Sequence, residues 1–146
     1  MKSTIFTLAS IGLSACATAP APVAGPAHHP APAFTGPPAQ LLERPNASTA
    51  GGPKEVRVLY DDPTLKLAAI VLRDGTLLPE HHSAVPVTIQ AVEGAGTVIA
   101  GGERHRLDAT HVVVLAPGVP HAVEPDPGTT LVLLVHHLGR GPEHTH

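Results

Sequence analysis

Between residues 54 and 138 hydrophobic and polar positions alternate over short runs, and no stretch repeats apolar residues at the spacing of an amphipathic helix. Residues 56–60 (V-R-V-L-Y) have the alternation of a half-buried strand, which Asp61-Asp62-Pro63 stops. Residues 65–73 form the next apolar run, ended by Asp74-Gly75, a dipeptide that tolerates positive φ and marks a tight reversal. Residues 76–82 and 85–93 flank Ser83-Ala84, and Gly94-Ala95-Gly96 turns the chain into residues 97–100. A second reversal at Gly101-Gly102 leads to residues 104–107, then 111–115 and 121–124. Residues 129–137 are apolar on both faces, which predicts a strand buried on both sides. Many short strands punctuated by glycine and proline predict an all-β sandwich or barrel. Beyond a loose duplication of hairpins there is no internal repeat, which argues against a solenoid or propeller.

Residues two apart in a strand share a face. Val85, Val87, Ile89 and Ala91 therefore fall on one side of their strand, with Thr88, Gln90 and Val92 on the other. His121 and Val123 share a face, and Ala122 and Glu124 take the opposite one. If the first set of each strand points inward, His81 and His121 meet inside the barrel.

The N-terminus changes the picture of where the domain works. Lys2 supplies a positive charge, residues 5–13 are apolar, and Leu13-Ser14-Ala15-Cys16 closes the block. A bilayer-crossing helix needs about 20 apolar residues, so this layout reads as a secretory signal. The tetrapeptide resembles the lipobox of bacterial lipoproteins. That resemblance implies removal of residues 1–15 and acylation of Cys16. With Ala17 next rather than aspartate, it also implies the periplasmic side of the outer membrane. Cys16 is the sole cysteine, so no internal disulfide can form. The alternative is an ordinary signal peptide in which Cys16 is incidental. Residues 16–53 hold nine of the seventeen prolines and read as an extended, disordered tether to about Gln40, with Leu41-Leu42 able to dock as an edge element. Residues 139–146 read as a histidine-containing flexible tail.

The stretch 54–138 suffices for one small domain with a modest core. Aromatic residues make up 2% of the chain and the net charge is -3. Base stacking and phosphate attraction are thus poorly supplied, and a nucleic-acid partner is not expected. No P-loop, dinucleotide fingerprint or G-x-S-x-G element occurs.

Candidate chemistry rests on two segments. One runs G-T-L-L-P-E-H-H-S-A-V-P-V-T-I-Q-A-V-E-G from Gly75 to Gly94, and the other T-H-V-V-V-L-A-P-G-V-P-H from Thr110 to His121. Together they resemble the two halves of the cupin signature. The resemblance implies a double-stranded β-helix, a jelly-roll barrel, across residues 54–138. It further implies a metal held by two histidines of an H-x-H pair, a glutamate and a final histidine. His81 matches the first ligand and His121 the last, while Ser83 and Val87 stand at the second histidine and the glutamate. Valine cannot ligate, and two imidazoles alone hold a divalent ion weakly. His82 becomes a third ligand if the strand bulges there, and Glu80 is the next candidate because Pro79 can distort the strand. The metal, whether Fe, Mn, Zn, Ni or Cu, is not specified. Alternatively, both histidines are core residues bonded to backbone carbonyls, although two buried polar rings in one cavity each need partners. His105 and His111 fall among charged or loop residues and read as solvated.

His28-His29, His136-His137 and His144-Thr145-His146 are expected outside the barrel, where the terminal H-x-H offers imidazoles suited to copper, nickel or zinc. Three functions follow. The leading one is a lipid-anchored cupin-domain protein with a small molecule, and a metal if a third ligand exists, in its barrel. The others are a metal-dependent dioxygenase- or isomerase-type enzyme and a histidine-rich periplasmic metal binder. Expected partners are a barrel ligand, the membrane through Cys16, and a second copy through paired edge strands.

Overall fold

The computed structural model describes Gly25, Phe34 and residues 36–139. The signal block, Cys16, His28-His29 and the terminal histidines lie outside the described residues. Nine strands and no helix occur among the described residues: β1 (Lys54–Asp61), β2 (Leu65–Leu72), β3 (Leu78–His81), β4 (Val87–Glu93), β5 (Gly96–Ala100), β6 (Glu103–Leu107), β7 (Val112–Leu115), β8 (His121–Pro125) and β9 (Leu131–Leu138). They form two facing antiparallel sheets in the orders β1-β2-β9-β4-β7 and β3-β8-β5-β6. The all-β, double-stranded β-helix expectation is met.

Alternation decides the interior. In β4 Val87, Ile89 and Ala91 are buried, in β5 Gly96, Val98 and Ala100, and in β8 His121 and Val123. With Leu72, Leu107, Leu131 and Leu133 they make one aliphatic core between the sheets. Close sheet packing explains Gly96, where an added Cβ would meet the Glu124 carbonyl and the Leu131 side chain.

Strand ends are set by local hydrogen bonds that the hydropathy pattern does not register. Thr76 N–H bonds the Arg73 carbonyl (2.9 Å), so the third strand begins at Leu78 rather than at Thr76. Thr129 N–H and its hydroxyl both bond the Asp126 carbonyl, which delays the last strand to Leu131. His111 N–H reaches the Asp108 carbonyl, and the seventh strand starts one residue later.

The last strand is buried on both faces, as its composition predicts: Leu131, Val132 and Leu133 are all fully buried. Leu131, Leu133 and Val135 join the core, so Val132 faces the other way, beside Val71 of β2. Part of residues 36–53 lies against this outer face. Pro37, Pro38 and Leu42 flank Leu65 and Leu67, and the Phe34 and Tyr60 rings stack at 5.5 Å. Farther along, Arg44 pairs with Glu93 (2.8 Å), whose other oxygen accepts from Ala47 N–H. Arg73, itself buried, donates to the carbonyls of Gly52 and Thr49. These anchors frame buried Ala69, Val71 and Val132.

Candidate ligand cavity

At one end of the barrel the two sheets enclose a cavity of about 220 Å³. Its entrance owes its shape to β3. Leu78 pairs with Val123 and His81 with His121, so three steps on β3 oppose two on β8. This bulge falls within Pro79-Glu80, where the proline weakens the ladder. Leu78 and His81, three apart, consequently both line the cavity, while Glu80 is exposed and does not. His82 and Ser83 follow at the rim, and the Ser83 carbonyl accepts from Gly118 N–H at 2.7 Å. That bond ties the rim to the Pro117-Gly118 turn, where Gly118 has φ +78°. Positive φ is costly for residues with a Cβ, and the turn delivers His121 to the start of β8.

The two imidazoles lie against each other, ring centroids 4.2 Å apart and planes inclined by 54°. Each is fixed by the same local device. His81 Nδ1 lies 2.9 Å from the Pro79 carbonyl, and His121 Nδ1 lies 2.9 Å from the Val119 carbonyl. A carbonyl only accepts, so Nδ1 carries the proton in both rings, and Nε2 of the neutral ring keeps its lone pair. His81 is exposed at the mouth; His121 is buried. Burial pushes the His121 pKa down, opposed by the Val119 carbonyl and reinforced by the charges of His81 and His82.

A third imidazole belongs to the cavity, and the sequence reading placed it outside the barrel. His137 on β9 lines the wall opposite Val87. Its pKa is lowered by burial first and then by the Lys66 ammonium, opposed by the Lys66 backbone, with a smaller push down from His81 and His121. Its Nδ1 is buried and makes no hydrogen bond. Lys66 also lines the cavity. His137 shares the parity of Leu131, Leu133 and Val135, and Lys66 that of Ala68, Ile70 and Leu72, but both strands are apolar on both faces, so the sequence did not mark that parity as the inner one. His136 has the opposite parity and bonds the Thr88 hydroxyl (3.0 Å).

His105 and His111 flank a separate hollow along β6 and β7. His111 is exposed and its Nδ1 lies 2.7 Å from the Asp108 carboxylate. Donation from the Thr110 hydroxyl first, then from His111 and the Thr110 amide, holds Asp108 well below the usual carboxylate range.

No protein-family model and no curated protein matches the sequence. Solved structures do match its fold. An RmlC-like cupin with a double-stranded β-helix from Methanocaldococcus jannaschii superimposes with a TM-score of 0.61 at 20% identity, covering 72% of this chain and 94% of that one. The domain has the cupin fold. An RmlC-like cupin from Shewanella frigidimarina gives a TM-score of 0.55 at 21% identity, with 62% and 80% covered. A salicylate 1,2-dioxygenase from Pseudoaminobacter salicylatoxidans gives 0.53 at 24%, covering 61% of this chain and 26% of that enzyme.

The cupin fold raises the question of a metal centre, and the donor set answers it. Nε2 of His81 and His121 is the form a metal takes. Val87, at the place of a glutamate, is a buried hydrocarbon, and Glu80 stands outside. Among the described residues no three His, Cys, Asp or Glu side chains come together as an ion would need. Catalytic sites normally use three protein ligands, and this cavity does not fit that pattern.

Proposed function

We propose that this cupin-fold protein binds a small molecule in its barrel, anchored on the periplasmic side of the outer membrane by a lipid on Cys16. The observation that carries the binding reading is the His81–His121 ring pair: two positioned polar groups converging in an otherwise largely aliphatic cavity. Sites for small molecules share that build, an apolar wall with a few convergent polar groups. At about 220 Å³ the space suits a compact ligand. Anchoring rests on the Leu13-Ser14-Ala15-Cys16 motif.

A ligand screen by protein-observed NMR on the mature chain tests the binding, with His81→Phe and His121→Phe as variants that keep a ring but remove its nitrogens. Expected are shifts confined to β3, β8 and β9 that both variants weaken. Hits that bind both variants as well as the native protein would overturn the reading. Elemental analysis of the same samples is expected to find metal well below one equivalent, because two imidazoles alone hold it weakly. A full equivalent lost in either variant would favour a metal-dependent enzyme instead. For anchoring, Cys16→Ser is expected to move the protein from the membrane to the soluble fraction; unchanged fractionation would discard the lipid.

A further inference from the structure

The charge of the cavity is one-sided. Among the described residues, every titratable side chain lining it is basic: Lys66, His81, His82, His121 and His137. Ser83 is the one uncharged polar group there, and the rest is aliphatic. Asp61, opposite Lys66 across β1 and β2, does not line the cavity but borders an adjoining hollow that Lys66 and His137 share. His121 is buried and Lys66 and His137 are half-buried, so a positive charge among them is screened less than at the open surface and attracts negative charge. Beside the larger effect of burial, these neighbours also depress two of the rings: His81 and His82 act on His121, and Lys66, His81 and His121 act on His137.

Two further observations concern what the polar atoms lack. His137 Nδ1 is buried without a hydrogen-bond partner. Such atoms are rare in folded proteins because a buried polar group left unbonded is unfavourable. His81 and His121 spend Nδ1 on backbone carbonyls, so each neutral ring offers the ligand only an Nε2 lone pair. Among the described residues the cavity lining thus supplies no carboxylate and no proton for Nε2. A carboxylic acid brings both, whereas a cation brings neither and meets an ammonium.

Resting on the reading of this cavity as a small-molecule site, we propose that its ligand is a small organic acid with an apolar body. The carboxyl group sits between Lys66 and the imidazoles, sharing its proton with Nε2 and satisfying His137 Nδ1. The hydrocarbon part lies against Leu78, Val87, Ile89, Leu133 and Val135.

Calorimetric titration of the mature chain with hexanoate and benzoate, against hexanamide and benzamide of nearly the same shape, tests the charge requirement. The acids are expected to bind about tenfold or more tightly than their amides. Lys66→Gln should remove most of that preference by weakening the acids far more than the amides. Amides that bind as tightly as acids, or a preference that survives Lys66→Gln, would overturn the acid assignment. If the amides still lose binding in His121→Phe, the small-molecule reading stands without it. No saturable binding of either acid also overturns the assignment, and a blank NMR screen besides would remove the cavity reading beneath it.

Discussion

His137 stands opposite Val87 in the β4–β9 ladder, and both side chains face the cavity that holds His81 and His121. Where cupins are expected to carry a carboxylate, this barrel has a hydrocarbon with a third imidazole on the adjoining strand. The cavity thus presents basic side chains where the family resemblance implies an anionic ligand, and on the proposed small-molecule reading that favours an anionic occupant.

Restoring the carboxylate should restore metal affinity. Val87→Glu places an acid beside the imidazoles of His121 and His137, completing a set of at least three donors. At a free zinc concentration of about 100 times Kd, such a site adds roughly 2.7 kcal/mol of stability. The zinc-dependent rise in melting temperature should exceed that of the native chain measured alongside it. An equal response in both would show that the imidazoles do not reach position 87.

Stability should fall on mild acidification. His121 and His137 have pKa values below the ordinary 6.5 in the fold. Below pH 6.5 the unfolded chain therefore binds more protons than the folded one, so stability declines until the folded values are passed, and above 6.5 the slope vanishes. A second decline begins below about pH 4.5, where the lowered pKa values of Glu93, Asp62 and Asp108 take over. For Asp62, burial opposes ionisation, but donors from Thr64, Tyr60 and Leu65 outweigh it. Urea unfolding across this range checks both windows, and His121→Phe should flatten the upper one. A native profile level from about pH 7 to pH 5 would contradict it.

The segment before β1 should detach when its clamp is cut. Arg73→Ala removes the donors to Gly52 and Thr49 and the ion pair to Glu55. Loss of charged, mostly buried hydrogen bonds costs about 2–3 kcal/mol. Arg57→Ala breaks only an exposed pair to the same glutamate and should cost less than about 1 kcal/mol. Denaturant midpoints measure both, and limited proteolysis should cut within residues 44–53 faster in Arg73→Ala alone. Equal losses would show that the clamp contributes nothing beyond a surface ion pair.

Two glycines with similar backbone should differ on substitution. Gly94 has φ +74° and a Cβ there would collide with the Thr130 carbonyl, whereas Gly118 has φ +78° with open space around it. Gly118→Ala should cost only the left-handed strain, about 1–2 kcal/mol. Gly94→Ala should add an overpacking cost of about 1–3 kcal/mol to that. Thermal melts compare them, and matching losses would rule out the packing contribution.

Much of the barrel was legible in the chain because a half-buried strand writes its two faces as alternating residue types. Val87, Ile89 and Ala91 went inward as their parity requires, as did His121 with Val123. What escaped was decided by single hydrogen bonds. The turn at Arg73-Thr76 shortened the third strand, and Thr129 closed onto Asp126 before the last strand began. His137 escaped for another reason. A strand apolar on both faces hides its parity, and an adjacent histidine pair gives no hint that one ring turns inward and the other outward.

By itself the sequence determined the all-β class, the strand count and faces, and the approach of His81 to His121, since these depend on local periodicity and on turn residues that act within a few positions. Only the tertiary structure decided what surrounds that pair. The β3 bulge sent Glu80 outside, the β2-β9-β4 order brought Lys66 and His137 to the same wall, and part of the proline-rich stretch came to rest on the outer sheet. Those outcomes depend on which distant strands become neighbours, a choice made by the joint burial of the whole core and written in no single segment of the chain.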